Sequence, residues 1–223
     1  MFIKICGTTS EEDALFAVSM GADAVGFIFA PSKRQVSVEV VSEIIKRLPP
    51  EVMTVGVFKD ESKEIVARVV NSIGLGGAQL HGHESPEDTI WIAERVNFVI
   101  KAFPAGHSEV KNFSHYGADV LLLDAPEPGS GKVFDWSLAE DVQDPSRLLL
   151  SGGLTPENVA GGIMEVKPWG VDVTTGVEAT PGKKDPLKIR EFILTARKAD
   201  AETFRNEPPS GDLYDWQRDA RGI

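Results

Sequence analysis

Eight short runs of β-branched and apolar residues recur along the chain, spaced roughly 25 residues apart. Several are apolar almost throughout, which is typical of parallel strands covered on both faces. The predicted strands are residues 2–6, 23–29, 52–58, 77–81, 97–103, 118–124, 147–151 and 170–174. No other feature restricts the fold as much, because repeated strand–helix units indicate an α/β architecture.

Helical segments separate these strands. Seven of the eight runs precede a plausible amphipathic segment, and the connection after Asp124 is the exception. Helix starts are expected at Ser10, Ser37, Ser62, Ser85 and Thr155, with Pro at the first helical position after the last two. The last predicted helix covers residues 184–199.

Eight strand–helix repeats predict a (β/α)₈ TIM barrel, an α/β fold with a closed parallel sheet, over residues 1–199. The alternative is an open doubly wound sheet, which usually has five or six strands and a topological switch point. Residues 200–223 are rich in charge, Pro and Gly, and their aromatics are Phe204, Tyr214 and Trp216. We expect this extension to be either a solvated tail or a strap packed on the outside of the barrel.

Charge and cysteine content exclude several classes of protein. Among 223 residues, 34 Asp and Glu against 23 Lys and Arg give a net charge of −11, which argues against binding nucleic acid or anionic membranes. No apolar run approaches the roughly 20 residues of a membrane-spanning helix, and the N-terminus lacks signal-peptide features. The single cysteine excludes an internal disulfide and multi-cysteine metal sites. We expect a soluble, cytoplasmic protein.

Small and polar residues follow the last two predicted strands. Gly152-Gly153 ends the seventh strand and Thr174-Thr175-Gly176 ends the eighth. Glycines allow backbone amides to approach an anion, threonine hydroxyls add donors, and barrels commonly hold phosphate after these two strands. The sequence therefore predicts phosphate binding by Gly153, Thr174, Thr175 and Gly176, with a simple tight turn as the alternative.

Two further strand ends carry reactive side chains. Cys6 ends the first strand, although a lone strand cysteine is more often a small buried apolar residue. Asp124 closes the apolar sixth strand, where burying a carboxylate costs several kcal/mol unless it has partners or takes up a proton. From the residues alone, a structural role remains the alternative for both.

Strand alternation predicts a buried ion pair. Lys4 and Cys6 are two residues apart and share one side of their strand, and Asp172 and Thr174 do the same on theirs. In a closed barrel the first and eighth strands are neighbours. We therefore expect Lys4 to pair with Asp172 in the interior, because an unpaired charge there would be costly.

An ordered set of motifs resembles the phosphoribosylanthranilate isomerase family of tryptophan biosynthesis. The resemblance covers residues 2–195. The motifs are KICG at 4–7, GADAVGFIF at 21–29, VGVF at 55–58, QLHG at 79–82, LLD at 122–124, GSGKVFDW at 129–136, SGGLTPENV at 151–159 and VDVTTGVE at 171–178. The sequence departs from the usual pattern in three ways. The second loop, residues 30–37, is one residue short and has Gln35 where an aromatic residue is frequent, Thr174-Thr175 replace the usual pair of serines, and the tail beyond about Arg197 has no counterpart in the family.

The resemblance implies an Amadori rearrangement of N-(5-phosphoribosyl)anthranilate that needs no metal or redox cofactor. The implied roles are general acid for Asp124, general base for Cys6, recognition of the anthranilate carboxylate for Arg34, and contact with substrate for Gln79, His81 and Asp172. A hydrogen-bonding scaffold is the more common role for a lone histidine such as His81. The implied partner is a small phosphosugar, and the chain would act as a monomer or a homodimer.

Two other functions are weighed against this one. Another phosphosugar barrel enzyme, such as an indole-glycerol-phosphate synthase or a tryptophan synthase α-like lyase, would need catalytic Lys or Glu at strand ends. A non-catalytic phosphate-ligand binding protein would bind without turnover. The presence of both Cys6 and Asp124 favours the isomerase.

Overall fold

Eight parallel strands form a closed barrel in the computed structural model, which describes residues 1–126, 135–142 and 144–203. The strands are β1 (Phe2–Ile5), β2 (Ala24–Ile28), β3 (Met53–Phe58), β4 (Gly77–Leu80), β5 (Val99–Pro104), β6 (Val120–Asp124), β7 (Leu148–Leu150) and β8 (Gly170–Val173). They pair in chain order, and β8 closes the sheet against β1. The predicted barrel is confirmed, and the open-sheet alternative is wrong.

In the described part of the chain, six α-helices surround the barrel. They are α1 (Glu11–Ser19), α2 (Val38–Ile45), α3 (Lys63–Ile73), α4 (Pro86–Ala93), α5 (Val159–Val166) and α6 (Pro186–Thr203). Ser10, Ser37 and Ser85 cap α1, α2 and α4 with their side chains, as their positions predict. Ser62 precedes α3 without such a bond.

The connections after β5 and β7 differ from the sequence pattern, whereas the connection after β6 is the one that the sequence already excepted. The segment after β5 is a 3₁₀ run, Ser108–Tyr116, and the segments before β7 are short 3₁₀ turns at Trp136–Asp141 and Pro145–Arg147. The helix start expected at Thr155 is wrong, because α5 begins at Val159. Asn158 Oδ1 accepts from the Thr155 amide, and Thr155 Oγ1 accepts from the Glu157 amide, which stabilises a separate turn.

The last helix is displaced by a small hairpin. Strands β9 (Glu178–Thr180) and β10 (Lys183–Lys184) pair antiparallel before α6. Lys184 therefore lies in a strand, α6 begins at Pro186, and the helix continues to Thr203. Its end lies four residues beyond the predicted one. Residues 204–223, with their three aromatics, and most of the GSGKVFDW motif lie outside the described residues.

The barrel interior changes character along its axis. Apolar inward-facing side chains fill the amino-terminal and middle layers: Phe2, Ala24, Met53, Val55, Phe98, Ile100, Val120, Leu122 and Leu149. At the carboxyl ends, the inward positions of β1, β4, β6 and β8 are polar instead. Active sites of barrels of this type lie at the carboxyl ends of the strands, so these polar groups mark the candidate active site. Within the described ranges, no helix is long and apolar enough to span a membrane.

Candidate active site

A cavity of about 250 Å³ opens at the carboxyl ends of the strands. Nine of the ten side chains and glycines predicted for the site line it: Cys6, Arg34, Gln79, His81, Asp124, Gly153, Asp172, Thr174 and Thr175. The tenth, Gly176, lines an adjoining cavity that shares Gly153 and Thr175 with the first. The fold thus brings together residues that are up to 170 positions apart in the chain.

Asp124 lies at the end of β6 with only 7% of its surface exposed. Its Oδ1 accepts from the Ala125 amide at 2.8 Å, and its Oδ2 lies 3.2 Å from Nε2 of His81. Both carboxylate oxygens therefore have a partner on the protein. The carboxyl group is fixed in orientation and still borders the cavity.

His81 joins Asp124 to Gln79. The Nδ1 of His81 lies 2.8 Å from Nε2 of Gln79, so the three side chains form one hydrogen-bonded row. Gln79 is 1% exposed, and its Oε1 has no hydrogen-bond partner. The contacts of His81 are with these two side chains, one on each ring nitrogen.

Cys6 follows β1 and is 3% exposed. A Cβ added to Gly26 would meet its Sγ at 2.8 Å and Lys4 Nζ at 3.1 Å, so this glycine makes room for both side chains. Burial raises the pKa of the Cys6 thiol, and the nearby Lys4 ammonium opposes that rise. A thiolate here depends on positive charge around it.

Lys4 and Asp172 form the buried pair expected from strand alternation. Lys4 Nζ lies 2.9 Å from Asp172 Oδ1, with side-chain exposures of 0% and 4%, and the two residues are in register across β1 and β8. Burial lowers the pKa of Lys4, but the charges of Asp172 and Cys6 outweigh it, and the net shift is upward. Lys4 therefore stays an ammonium beside the thiol.

Two charged residues near Cys6, Lys184 and Glu178, were not predicted as site residues from the sequence. Lys184, fully buried, donates from Nζ to the carbonyls of Cys6 at 2.5 Å and Thr174 at 3.0 Å, and lies 3.6 Å from Glu178 Oε1. Burial lowers the pKa of Lys184, whereas Glu178 raises it. The signal for Glu178 was its place in the VDVTTGVE motif. No pattern signalled Lys184, because its position depends on the β9–β10 hairpin.

Arg34 lines the cavity but is paired within the protein. Its Nε and Nη2 donate to the two carboxylate oxygens of Glu178 at 2.6 and 2.7 Å. Burial raises the pKa of Glu178. The bonds from Arg34 and the charge of Lys184 together lower this pKa by more, so the net shift is downward. The guanidinium is thus held in place at the cavity wall, with its Nη1 outside this pair.

The loops after β7 and β8 require glycine. Gly152 and Gly153 have φ angles of +83° and +68°. A Cβ on Gly176 would lie 1.9 Å from the Leu154 carbonyl oxygen, so only glycine fits there. Asn158 secures the first loop by donating to the Gly153 carbonyl at 3.0 Å. The two loops meet at the adjoining cavity, which Lys188 also lines.

A thiol, a carboxyl and two glycine-containing loops around one cavity define a barrel enzyme equipped for acid–base chemistry. Within the parts of the chain that the structure describes, no three His, Cys, Asp or Glu side chains cluster as metal ligands would.

Comparison with known proteins gives the particular family. The model of the N-(5'-phosphoribosyl)anthranilate (PRA) isomerase family matches residues 3–195. An N-(5'-phosphoribosyl)anthranilate isomerase of Desulforudis audaxviator is 48% identical over 204 residues, covering 88% of this chain and 98% of the relative. The chain belongs to this isomerase family of tryptophan biosynthesis.

Solved structures agree with the sequence match. The phosphoribosyl anthranilate isomerase of Thermus thermophilus superposes with a TM-score of 0.83 at 38% identity, covering 89% of this chain and 99% of that one. The Thermotoga maritima enzyme gives 0.81 at 45% identity with the same coverage. A third, with a TM-score of 0.78, 43% identity and the same coverage, is a complex with reduced 1-(o-carboxyphenylamino)-1-deoxyribulose 5-phosphate.

Proposed function

We propose that the chain isomerises N-(5'-phosphoribosyl)anthranilate to 1-(2-carboxyphenylamino)-1-deoxyribulose 5-phosphate with Asp124 as general acid and Cys6 as general base. The observation that carries this assignment is the presence of both side chains in the wall of one cavity. Asp124 ends β6 and Cys6 directly follows β1, and strands β7 and β8 lie between β6 and β1 in the closed barrel. A bound sugar ring would lie between them.

The substrate would bind at both of its anionic ends. Its phosphate would lie on Gly153, Thr174, Thr175 and Gly176, where small residues leave backbone amides accessible and two hydroxyls add donors. The anthranilate carboxylate would contact Arg34, whose planar guanidinium is suited to a carboxylate. Glu178 fixes that guanidinium and leaves Nη1 for the ligand. Asp172 would border the sugar from β8 while paired with Lys4.

Asp124 would open the furanose ring. It transfers its proton to the ring oxygen, the bond between that oxygen and C1′ breaks, and the anthranilate nitrogen forms a cationic imine with C1′. Asp124 is left as a carboxylate. The Ala125 amide is positioned to stabilise the charge that develops on Oδ1.

Cys6 would then complete the rearrangement. Its thiolate removes the proton from C2′, the electron pair moves toward the imine, and the resulting enolamine tautomerises to the aminoketose. Burial disfavours the thiolate, but Lys4 and the cationic imine both favour it. The cation also acidifies the C2′ proton, so a modest base is sufficient.

The direct test is turnover by the purified protein. Freshly prepared phosphoribosylanthranilate should be consumed, and the fluorescence of its anthranilate group should disappear with time. A tryptophan-requiring strain that lacks only this step should grow when it expresses the chain. Failure of both assays would reject the proposed reaction.

The same assay separates the two alternative functions. A synthase or lyase would consume the aminoketose rather than form it. A binding protein would bind the reduced aminoketose analogue without consuming phosphoribosylanthranilate. We expect formation of the aminoketose and no further conversion of it.

We also place the enzyme in the cytoplasm, as a monomer or a homodimer. Cys6 must remain a thiol to act as a base, and the cytoplasm keeps thiols reduced. The Thermotoga maritima relative is described as dimeric. Light scattering on the purified chain would measure its mass and decide between the two states.

A further inference from the structure

One part of the site remains unused by this scheme. Gln79 lies in β4 and bonds to His81, which directly follows that strand, and Gln79 is almost fully buried among the strands of the barrel. A buried amide oxygen without a donor destabilises the fold. Gln79 carries such an oxygen, so packing alone does not explain its presence at an inward position.

We infer that Gln79 and His81 are positioning residues that hold a hydrogen-bond donor against Asp124 while it gives up its proton. This inference rests on the proposed function. The Gln79 amide fixes which ring nitrogen of His81 carries hydrogen, and His81 in turn acts on the carboxyl group of Asp124.

The hydrogen-bonded row determines the tautomer. The Nε2 of Gln79 can only donate, so Nδ1 of His81, 2.8 Å away, accepts. A neutral imidazole then carries its hydrogen on Nε2, which faces Asp124 Oδ2 at 3.2 Å. This donor suits Oδ2 both before and after Asp124 loses its proton, because Oδ2 accepts in either state when the transferred proton is carried on Oδ1.

The opposite orientation of the Gln79 amide is compatible with only one protonation state of the Asp124–His81 pair. With the Gln79 amide turned over, its oxygen would accept from Nδ1, and the bare Nε2 of His81 would face Asp124. That contact is favourable only while Asp124 or His81 carries an additional proton. It would oppose the carboxylate that remains after ring opening, so the orientation with Nε2 of Gln79 toward His81 is the one that favours proton donation.

In this arrangement Asp124 has a hydrogen-bond donor on each side of its carboxyl group. The Ala125 amide serves Oδ1 and His81 serves Oδ2, so both oxygens of the developing carboxylate have a donor already in place. Other charged and titratable groups surround His81. Lys59 lines the cavity with it, and a second cavity on its other side adds His83, Glu84, Lys101, His107 and Tyr116.

The test compares two replacements of His81. His81→Asn removes the donor near Asp124, whereas His81→Gln returns an N–H group to about the position of Nε2. We expect kcat to fall roughly a hundredfold in His81→Asn, with KM within about twofold, as when one donor to a developing charge is removed. His81→Gln should recover most of the loss. His115→Asn, at an exposed position, is the matched control and should not change kcat.

Nitrogen NMR of the histidine rings tests the tautomer directly, without substrate. The chain has four histidines, and the signals of His81 are those lost in His81→Gln. We expect hydrogen on Nε2 in the unaltered protein and a mixture of tautomers in Gln79→Leu. Gln79→Leu should also lower kcat while leaving the melting temperature equal or higher.

The possible failures are distinguishable. An unaltered protein that does not isomerise phosphoribosylanthranilate rejects the proposed function, and the NMR measurement still decides the tautomer. An active protein with hydrogen on Nδ1 of His81, or with full turnover in His81→Asn, overturns the positioning role alone.

Discussion

The two residues proposed to move protons lie in different environments. Asp124 has a hydrogen-bond donor at each oxygen, from Ala125 and His81. Cys6 has a buried thiol whose ionisation depends on a neighbouring lysine. The carboxylate that Asp124 leaves is therefore stabilised in advance, whereas the thiolate of Cys6 becomes favourable once a cationic intermediate is bound.

Replacing Asp124 with Asn should remove the proton donor and preserve the shape of the side chain. We expect kcat to fall by roughly two to four orders of magnitude, the range for positioned acid–base groups. Asp141→Asn makes the same chemical change at a half-exposed position outside the cavity and should leave kcat unchanged. Steady-state kinetics with phosphoribosylanthranilate would measure both, and near-normal turnover in Asp124→Asn would exclude it as the acid.

The thiol of Cys6 should titrate above the ordinary cysteine value of 9.0, because burial raises its pKa. At neutral pH the thiolate fraction is then smaller than for an exposed cysteine, and it increases as the pH rises through the shifted pKa. Alkylation followed by mass spectrometry measures this at one site, since the chain has one cysteine. A rate that levels off below 9.0 would contradict the shift. Cys6→Ser is the unreactive control, and we expect it to lose turnover about as much as Asp124→Asn.

Single residues were easier to predict than their partners. The strand ends identified Cys6 and Asp124, because polar residues there interrupt apolar strands. The pairing of Arg34 with Glu178 depends on side-chain conformations and on a loop meeting a hairpin, which no local pattern encodes.

At the scale of secondary structure, the contact between β1 and β8 combines support with chemistry. Lys4 and Asp172 join these strands inside the barrel, and Lys184 bonds to the carbonyls of Cys6 and Thr174 just above them. The same contact thus closes the sheet and supplies positive charge beside the thiol.

Variants of the Lys4–Asp172 pair should affect the free energy of unfolding and the turnover differently. Lys4→Met should destabilise the fold by about 3–5 kcal/mol, because Asp172 is left as an unpaired buried charge. The double variant Lys4→Met with Asp172→Leu should recover much of that free energy of unfolding but not the turnover, because the ammonium beside Cys6 is still missing.

Denaturant unfolding and kinetics on the same variants measure the two effects. The exposed pair of Lys46 and Glu43 provides the control, and its double replacement should change stability by less than about 1 kcal/mol. Recovery of turnover together with stability would mean that the pair is structural only.

The loop after β8 should be sensitive to a single methyl group. In Gly176→Ala, the new Cβ would clash with the Leu154 carbonyl oxygen and separate the two loops proposed to hold phosphate. We expect a KM increase of about tenfold or more, since a binding contact worth about 1.4 kcal/mol changes affinity tenfold. Gly74→Ala, at a position with φ of +71° and open space, should lower stability without changing KM. Equal KM values in the two variants would argue against this phosphate site.

The strands were predictable and several connections were not. Parallel strands buried on both faces are nearly continuous apolar runs, so their ends fell close to the observed ones. The helix start expected at Thr155 failed because Asn158 offers a competing local hydrogen bond, and Lys184 was assigned to a helix because a two-residue strand leaves no periodic signal.

At the scale of the whole molecule, stability and chemistry occupy different ends of the barrel. The amino-terminal and middle layers are apolar and tightly buried, whereas the charged interior groups Lys4 and Asp172 lie below the cavity. This division allows the mouth to carry unpaired or strained groups, such as Gln79 Oε1, because the apolar layers stabilise the fold independently.

A chain that ends after Thr203 should fold and turn over substrate like the full chain. The family match ends at residue 195, the barrel closes with β8, and α6 ends at Thr203. Calorimetry and kinetics on the two lengths would measure the difference. A lower melting temperature in the shorter chain would instead support the strap, with Phe204, Tyr214 and Trp216 packed against the barrel.

The closure of β1 against β8 also constrains the order of events during synthesis. Lys4 leaves the ribosome well before its partner Asp172 and the neighbouring Lys184, which belong to the last part of the barrel. Until they emerge, the lysine has no counterion and the thiol has only part of its surroundings. A nascent chain therefore cannot possess the reactive centre in advance of the fold, and the two are completed together.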